Sequence, residues 1–256
     1  MRMAVRERDL IVHCAPLRAL EPVPPLMTSA AVRLWYASVS DLKPHLPGLE
    51  AVLDDEERQR ADRFRFAPDR ERFIAGHGLL RMLLGGALGL APEAVRMARG
   101  PHGKPFLPHS GPPFNLSDTK DALVVAIGGT DELGVDIETV ERRTDHELVA
   151  GHYFTPDEVA HIEAGGAEGK RRFLTLWTRK EAVLKASGVG IMDDLHALRV
   201  LDGEQVLTIR HEVFVREAAP AYHVSSFGVG ATHLIALATP RPHAGPALHD
   251  ACRAIG

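Results

Sequence analysis

Two carboxylates two positions apart are the first residues in this chain that could do chemistry: Asp136 and Glu138, in Gly-Val-Asp-Ile-Glu at 134–138. Their alternation with Val135 and Ile137 predicts a strand whose polar side chains share one face while the aliphatic ones enter the core. The two Cα atoms would then lie about 6.6 Å apart, and carboxylates at that spacing can bind one hard cation, for which magnesium fits best. An ordinary strand with a polar outer face is the alternative.

A second group of charges interrupts the apolar side of a predicted helix at residues 177–185, Trp-Thr-Arg-Lys-Glu-Ala-Val-Leu-Lys. With 3.6 residues per turn, Glu181 and Lys185 project beside the stripe that Phe173 and Trp177 occupy. A charge in that position needs a partner. Glu181 could share the cation of the strand carboxylates, or it could form an i,i+4 pair with Lys185 in solvent.

An arginine-rich stretch between Arg58 and Arg72 contains six arginines and three acidic residues, although the whole chain has a formal net charge of −4. Such a run is typical of a solvated helix face. It could also form a phosphate clamp or a dock for an acidic partner.

The composition limits the fold and the partners. The 256 residues, 45% of them hydrophobic, suffice for one large or two small domains. The acidic net charge and the 5% aromatic content argue against nucleic-acid binding. Cys14 and Cys252 form no CxxC pair, and the fourteen histidines form no His-x-His or His-Glu-x-x-His motif. No apolar run approaches the ~18 residues of a membrane span and no secretory signal is evident, so we expect a cytoplasmic protein.

Periodicity and turn residues predict the elements that position these groups. A Pro-rich arm is followed by a strand, two helices, and then short strands and turns. The elements of this first half span residues 1–29, 32–36, 53–66, 69–88 and 92–127. Four β segments are predicted after the helix that contains Trp177, at 198–201, 206–211, 222–227 and 233–238.

Thr-Pro-Asp-Glu at 155–158 predicts a helix start, because proline suits the first helical position and Glu158 stands three residues after Thr155 in a capping box. A shift of 100 residues places Arg72-Phe73-Ile74 over Arg172-Phe173-Leu174, which faintly indicates an internal repeat.

Four motifs in this order resemble those of the 4′-phosphopantetheinyl transferases of the Sfp type, from about Arg58 to Ile191. They are the strand and helix motifs above, His-Gly-Lys-Pro at 102–105 and Phe-Asn-Leu-Ser at 114–117. The resemblance implies a magnesium-dependent enzyme that transfers 4′-phosphopantetheine from coenzyme A to a serine of an acyl or peptidyl carrier protein, releasing adenosine 3′,5′-bisphosphate. It also implies an α/β (α+β) fold of two similar lobes related by a pseudo-twofold, each a small β-sheet packed with a long helix.

The resemblance implies roles for individual residues. Asp136, Glu138 and Glu181 would bind Mg²⁺. Lys185 would stabilise or protonate the departing phosphate and contact coenzyme A. Glu158, which follows an aromatic pair, would be the base for the acceptor hydroxyl, besides its role as a cap.

Coenzyme A would be bound by Arg63, Arg72, Lys104, Ser117 and Thr119, with Arg60 less clearly placed. One departure from the family lies at Asp118-Thr119, where most relatives have His-Ser and the histidine contacts a phosphate. An ionised aspartate cannot donate a hydrogen bond, so we expect it to turn away and cap the turn or accept from a ribose or backbone donor.

The predicted organisation is a flexible N-terminal arm (1–29), an N-terminal lobe that binds coenzyme A (30–130), a C-terminal lobe with the magnesium and catalytic residues (131–240) and a loose tail (241–256). We expect a monomer whose partners are coenzyme A and a carrier protein, with no nucleic acid and no membrane. A non-catalytic coenzyme A or carrier-protein binding module is the alternative function, and another metal-dependent phosphotransferase is a third.

Overall fold

The computed structural model of the chain describes residues 7–22, 32–129, 131–190, 195–243 and 245–255. The strands are β1 (Arg8–Cys14), β2 (Arg18–Ala19), β3 (Arg33–Ser38), β4 (Ala98–Arg99), β5 (Pro105–Phe106), β6 (Phe114–Asp118), β7 (Ala122–Ile127), β8 (Gly134–Thr139), β9 (Gly203–Ile209), β10 (Ala221–Val229), β11 (His233–Thr239) and β12 (Ala247–Asp250). The α-helices are α1 (Val39–Leu42), α2 (Leu46–Ala51), α3 (Asp55–Ala61), α4 (Ala67–Leu88), α5 (His146–Tyr153), α6 (Pro156–Glu163), α7 (Gly169–Ser187) and α8 (Glu212–Glu217). None of these helices combines the length and hydropathy that a bilayer-spanning helix needs.

Ten of these strands form two large sheets, and β4 pairs with β5 in a separate two-stranded sheet. In one the order is β12-β3-β7-β6, and in the other it is β8-β11-β10-β1-β9, with β2 paired to β10. One core cluster joins the facing sides of the two sheets, including Val124 of β7 and Leu237 of β11. The opposite sides pack against the long helices, α4 on the first sheet and α7 on the second. We call the first sheet with α4 the N-terminal lobe and the second sheet with α7 the C-terminal lobe.

The predicted α+β class is confirmed, and the long helices begin and end where local signals place them. Pro68 stands in the first turn of α4, and Gly89 ends that helix with a left-handed φ of 66°. Gly188 ends α7 in the same way with a φ of 72°. The pseudo-twofold relation between the lobes stays a prediction.

The loose ends predicted for the chain are wrong for the described residues. Residues 8–14 form β1, which pairs with β9 and β10 and buries Leu10 and Val12. Residues 247–250 form β12, which pairs with β3. Each end therefore completes the sheet of the opposite lobe, a long-range pairing that composition does not reveal. The predicted arm at 1–6 and 23–29 lies outside the described residues.

The β segment predicted at 198–201 is also wrong, because this stretch has no strand partner in the described structure. Its carbonyl groups bind buried cations instead. Leu198 O accepts a hydrogen bond from Lys180 Nζ at 2.7 Å, and Val200 O accepts one from Arg179 Nη1 at 2.8 Å.

The two lobes share one buried arrangement, in which the glutamate of a capping box pairs with a cationic side chain of the long helix. In the N-terminal lobe the cap Asp54 and Glu57 form a capping box at the start of α3, and Glu57 is bound by Nε of the buried Arg81 on α4 at 2.5 Å. Arg81 also donates to Val95 O at 3.0 Å, in the segment after α4. A charged side chain of the long helix thus ties a capping box to the loop that follows that helix.

In the C-terminal lobe Thr155 and Glu158 form the predicted capping box at the start of α6, which is confirmed. Glu158 is bound by Lys180 of α7 at 3.0 Å, and Lys180 also donates to the carbonyl groups of Leu195 and Leu198. The corresponding residues of the two lobes, Glu57 and Glu158 or Arg81 and Lys180, are about 100 positions apart. This is the offset of the internal repeat indicated by the sequence.

Candidate active site

Lys185 joins three elements at the junction of the lobes. Its Nζ donates to Asp136 Oδ1 on β8 at 2.6 Å, to Ser117 Oγ on β6 at 2.8 Å and to Val135 O at 3.2 Å. Ser117 Oγ donates in turn to Asp136 Oδ1 at 2.8 Å. Residues predicted from three separate motifs therefore meet in one hydrogen-bonded cluster, with Asp136 at its centre and only 6% exposed.

A glycine allows β8 and α7 to approach closely enough for this cluster to form. Gly134 opens β8, and a Cβ at that position would collide with the backbone of Ala182 and Ala186 on α7. Because glycine lacks a Cβ, β8 can lie directly against α7, and the next alternate residue, Asp136, comes within reach of Lys185.

Side chains of β6 cover the outer edge of β8. The Val135 N–H donates to Asn115 Oδ1 at 2.8 Å, and the Ile137 N–H donates to Ser117 Oγ at 3.3 Å. Both bonds are buried, so they replace the ladder partners that an edge strand otherwise lacks. Asn115 was not predicted as a functional residue, although it stands in the Phe-Asn-Leu-Ser motif on the same face as Ser117.

The carboxylates around this cluster are only partly neutralised by Lys185 and Arg142. Asp136 Oδ2 is buried and has no hydrogen-bond partner in the described structure. Burial, followed by the charge of Asp136, raises the pKa of Glu138 to about 7 although Arg142 pairs with it, and the same two causes raise the pKa of Glu181. A divalent cation bound by oxygen ligands would relieve both the repulsion and the orphaned oxygen. In the described part of the chain no three potential ligands already surround one point.

A cavity of about 230 Å³ opens beside the cluster, between the lobes. Its lining includes His102, Lys104, Asn115, Glu181 and Lys185. Lys104 Nζ donates to Glu132 Oε2 at 2.6 Å and to Leu133 O at 3.0 Å, so this residue joins the loop before β5 to the C-terminal lobe. Burial lowers the pKa of its ammonium group.

A smaller cavity of about 160 Å³ lies between α4 and β6, lined in part by Arg60, Arg72, Phe73 and Asp118. Arg72 Nε donates to Asp118 Oδ2 at 2.6 Å, and Arg72 Nη2 lies 3.0 Å from Asp69 Oδ1. The expectation that Asp118 caps its own turn is therefore wrong. Strand alternation sends Asp118 toward α4, where it pairs with an arginine predicted to bind phosphate.

Strand alternation places Ser117 on the other side of β6 from Asp118, and the predicted contact of Ser117 with coenzyme A stays a prediction. Its side chain points away from the cavity with Arg72 and is occupied by Asp136 and Lys185. Thr119 is buried and closes a turn through its backbone N–H to Ala122 O at 2.8 Å. Arg63 is exposed, in the segment between α3 and α4.

The structure buries Glu158 away from the cleft, and its predicted role as the base stays a prediction that this geometry does not support. Its side chain is 0% exposed, and its partner Lys180 is equally buried. Glu158 Oε2 accepts from Thr155 N at 2.9 Å, and Oε1 accepts from Val200 N at 2.9 Å. Both oxygens are used within the lobe, as those of Glu57 are in the other lobe, so neither can meet an acceptor hydroxyl.

Together, the fold and the site define an α+β protein whose cluster of carboxylates and a lysine is suited to phosphoryl-group transfer. Residues 132–238 match the profile of the 4′-phosphopantetheinyl transferase superfamily, and residues 35–129 match that of the N-terminal part of a 4′-phosphopantetheinyl transferase.

Named proteins show the same similarity. The 4′-phosphopantetheinyl transferase HetI of Nostoc sp. is 38% identical over 177 residues, which are 66% of this chain and 75% of that protein. A phosphopantetheinyl transferase of Thraustochytrium sp. is 37% identical over 63% of this chain and 62% of its own length. AcpT of Escherichia coli K12 is 35% identical over 47% of this chain and 60% of its own. The chain belongs to the 4′-phosphopantetheinyl transferase superfamily, and it is a transferase.

Proposed function

We propose that this chain transfers the 4′-phosphopantetheine group of coenzyme A to a serine of an acyl or peptidyl carrier protein, with the reaction taking place in the interlobe cleft. Membership of the superfamily supports the reaction, and the order of the four motifs supports the Sfp type. The observation that carries the proposal is the hydrogen-bonded cluster of Lys185, Asp136 and Ser117 beside the orphaned Asp136 Oδ2.

In this reaction the serine hydroxyl oxygen forms a bond to the phosphorus that carries the pantetheine arm. The bond from that phosphorus to the bridging oxygen of the pyrophosphate breaks, and adenosine 3′,5′-bisphosphate leaves. Negative charge grows on the departing phosphate, and the serine loses its proton. Such a transfer depends mainly on positioning and charge neutralisation.

Asp136, Glu138 and Glu181 are the residues that would hold Mg²⁺. When bound, the ion would neutralise charge on the pyrophosphate oxygens. Lys185 is held by Asp136 and Ser117, so its ammonium group is oriented in advance for the departing phosphate. Ser117 acts here as a positioning residue. Because Glu158 is buried, the acceptor of the serine proton has to be a group that reaches the cleft, and Glu181 lines the cavity there.

The two cavities are the proposed places for coenzyme A. Lys104 and Lys185 line the interlobe cavity, and Arg60 and Arg72 line the smaller one, so each offers cations to phosphates. Contacts of Arg63 and Thr119 with coenzyme A stay predictions, as do the monomeric state, the cytoplasmic location and the absence of nucleic-acid partners.

The test is to incubate the protein with coenzyme A, Mg²⁺ and serine-bearing carrier proteins from fatty-acid, polyketide and peptide synthesis, and to measure carrier mass. A gain of one phosphopantetheine supports the proposal, and chelation should stop it reversibly. Asp136→Asn and Glu181→Gln should lower the rate by orders of magnitude, whereas Asp157→Asn, at an exposed pair with Arg199, should not. Binding of coenzyme A without any transfer would favour the non-catalytic module.

A further inference from the structure

A hairpin that belongs to neither large sheet forms one wall of the interlobe cavity. Among the strands that the structure describes, β4 and β5 pair only with each other, and we call residues 98–106 the cleft hairpin. Its turn is closed by a hydrogen bond from the Gly100 N–H to Lys104 O at 2.8 Å. Met97 and Leu107, which flank the hairpin, pack against the core of the N-terminal lobe. A two-stranded hairpin is marginally stable by itself, so the position of the turn depends on what the turn contacts.

The turn of the cleft hairpin contacts the C-terminal lobe. His102 Nε2 lies 3.0 Å from Glu217 Oε2 at the end of α8, in addition to the contacts of Lys104 with that lobe. The other carboxylate oxygen of Glu217 accepts a hydrogen bond from Arg216 Nη2 at 2.8 Å, which orients the carboxylate. α8 is fixed to its lobe through Phe214, whose side chain is wholly buried in the core. A hairpin that starts from one lobe is thus fastened at its turn to the other.

The cavities proposed for coenzyme A are small for that ligand. At about 230 and 160 Å³, neither reaches the roughly 300–1,000 Å³ of pockets that enclose drug-sized ligands, and coenzyme A is larger than such ligands. Binding therefore requires a wall to move. α7 is packed into the core of its lobe, with Leu184 buried, whereas Phe106 of the cleft hairpin is exposed. The cleft hairpin is the wall that can move at the lower cost.

We propose that the cleft hairpin is a lid over the interlobe cavity, and that the pair of His102 and Glu217 is the clasp that holds this lid against α8. This role rests on the proposed function, in which coenzyme A enters and leaves that cavity. Glu217 does not line the cavity, so it acts through His102 as a positioning residue. Because Lys104 belongs to the same turn, closure of the lid also brings its ammonium group to the phosphates of the coenzyme.

The clasp should slow the escape of bound coenzyme A. The side chains of His102 and Glu217 are 29% and 31% exposed, and ion pairs in such positions contribute little free energy. A lid held this weakly opens readily, and loss of the clasp shifts it further toward the open form. Lid opening commonly limits the release of products from enzymes. We therefore expect loss of the clasp to speed the release of coenzyme A and of adenosine 3′,5′-bisphosphate by up to about fivefold.

The experiment measures the dissociation of coenzyme A that carries a fluorophore on its thiol from the purified full chain in Mg²⁺, by a stopped-flow chase with unlabelled coenzyme A. Glu217→Gln should raise the dissociation rate constant about two- to fivefold. Glu212→Gln, at an exposed position of the same helix, makes the same change of charge and should leave the rate constant unaltered. Hydrogen exchange of the amides at 98–106 should be faster in Glu217→Gln than in this control, while the melting temperatures of the two agree.

A double-mutant cycle tests whether Glu217 acts through His102. Added to His102→Ala, Glu217→Gln should have no further effect, because the clasp is already absent. The lid role is overturned if Glu217→Gln releases coenzyme A at the rate of the control, or if it speeds release equally in both backgrounds. A protein that shows the expected cycle but modifies no carrier protein would refute the proposed function alone, whereas one that binds no coenzyme A would refute both.

Discussion

The carboxylate of Glu158 lies 3.0 Å from the ammonium group of Lys180, and both side chains are 0% exposed. The pair ties the start of α6 to the middle of α7 and to the loop that contains Leu198. Glu57 and Arg81 make the corresponding connection in the other lobe. The role shared by these two pairs is structural.

Glu158→Gln should therefore lower the free energy of unfolding by about 3–5 kcal/mol, because it leaves the Lys180 charge buried without its partner. The kcat of the folded protein should change little. Urea unfolding and transfer rates below the melting temperature measure both, and Glu163→Gln, exposed at the end of the same helix, is the control. A loss of kcat by orders of magnitude at unchanged stability would restore Glu158 as the base.

Lys185→Met should lower kcat more than it weakens coenzyme A binding, because charge builds on the departing phosphate only as the bond breaks. Single-turnover rates and a direct coenzyme A binding measurement separate the two effects. Lys170→Met, at the far end of α7, is the matched control. If only KM rises, Lys185 binds substrate and has no special role in the transition state.

The metal-free protein should lose stability as pH rises from 5.5 to 8. The folded-state pKa of Glu138 is raised from 4.5 to about 7. The stabilisation that its protonated form gives to the folded protein is therefore fully present below pH 4.5 and is lost as pH rises through 7. Mg²⁺ competes with that proton and removes the repulsion, so it should raise the melting temperature more at pH 8 than at pH 5.5. Glu138→Gln should reduce this difference. Equal Mg²⁺ shifts at both pH values in the unmodified protein would contradict the assignment.

Asp118→Asn and Asp118→His should keep or improve coenzyme A affinity. Either change removes the carboxylate that lies 2.6 Å from Arg72 Nε, so the guanidinium can bind a phosphate without competition. Calorimetric binding of coenzyme A at fixed salt measures the effect, with Asp62→Asn, beside Arg70 in the same lobe, as the control. Turnover abolished in Asp118→Asn with coenzyme A still bound would reveal a catalytic role for Asp118 instead.

Asn115→Ala should cost about 1–3 kcal/mol of stability, because it leaves the buried Val135 N–H without an acceptor. Without this hydrogen bond the edge of β8 should shift, and the Mg²⁺ concentration needed for half-maximal transfer should also rise. Mg²⁺ titrations of the rate test this, with Thr208→Ala on the outer strand β9 as the control. An unchanged Mg²⁺ requirement would limit Asn115 to a structural role.

Much of the candidate site follows from the sequence by itself. Strand alternation predicts that Asp136 and Glu138 share a face, and helical periodicity predicts Lys185 beside a buried stripe; both are local rules that hold in any fold. The order of four motifs then determined the family. The capping box at Thr155 and the α+β class were equally accessible, because each depends on residues close together in the chain.

Only the tertiary structure decided what those residues touch. Burial of Glu158 depends on α7 and on the loop around Val200, the pairing of Asp118 depends on α4, and the pairing of His102 depends on α8, in the other half of the chain. Local patterns state which side chains share a face, but they do not state which distant surface that face meets. Long-range pairing of strands and helices sets the desolvation and the partner of each charge, and these determine whether a carboxylate acts as a ligand, a base or a structural tie.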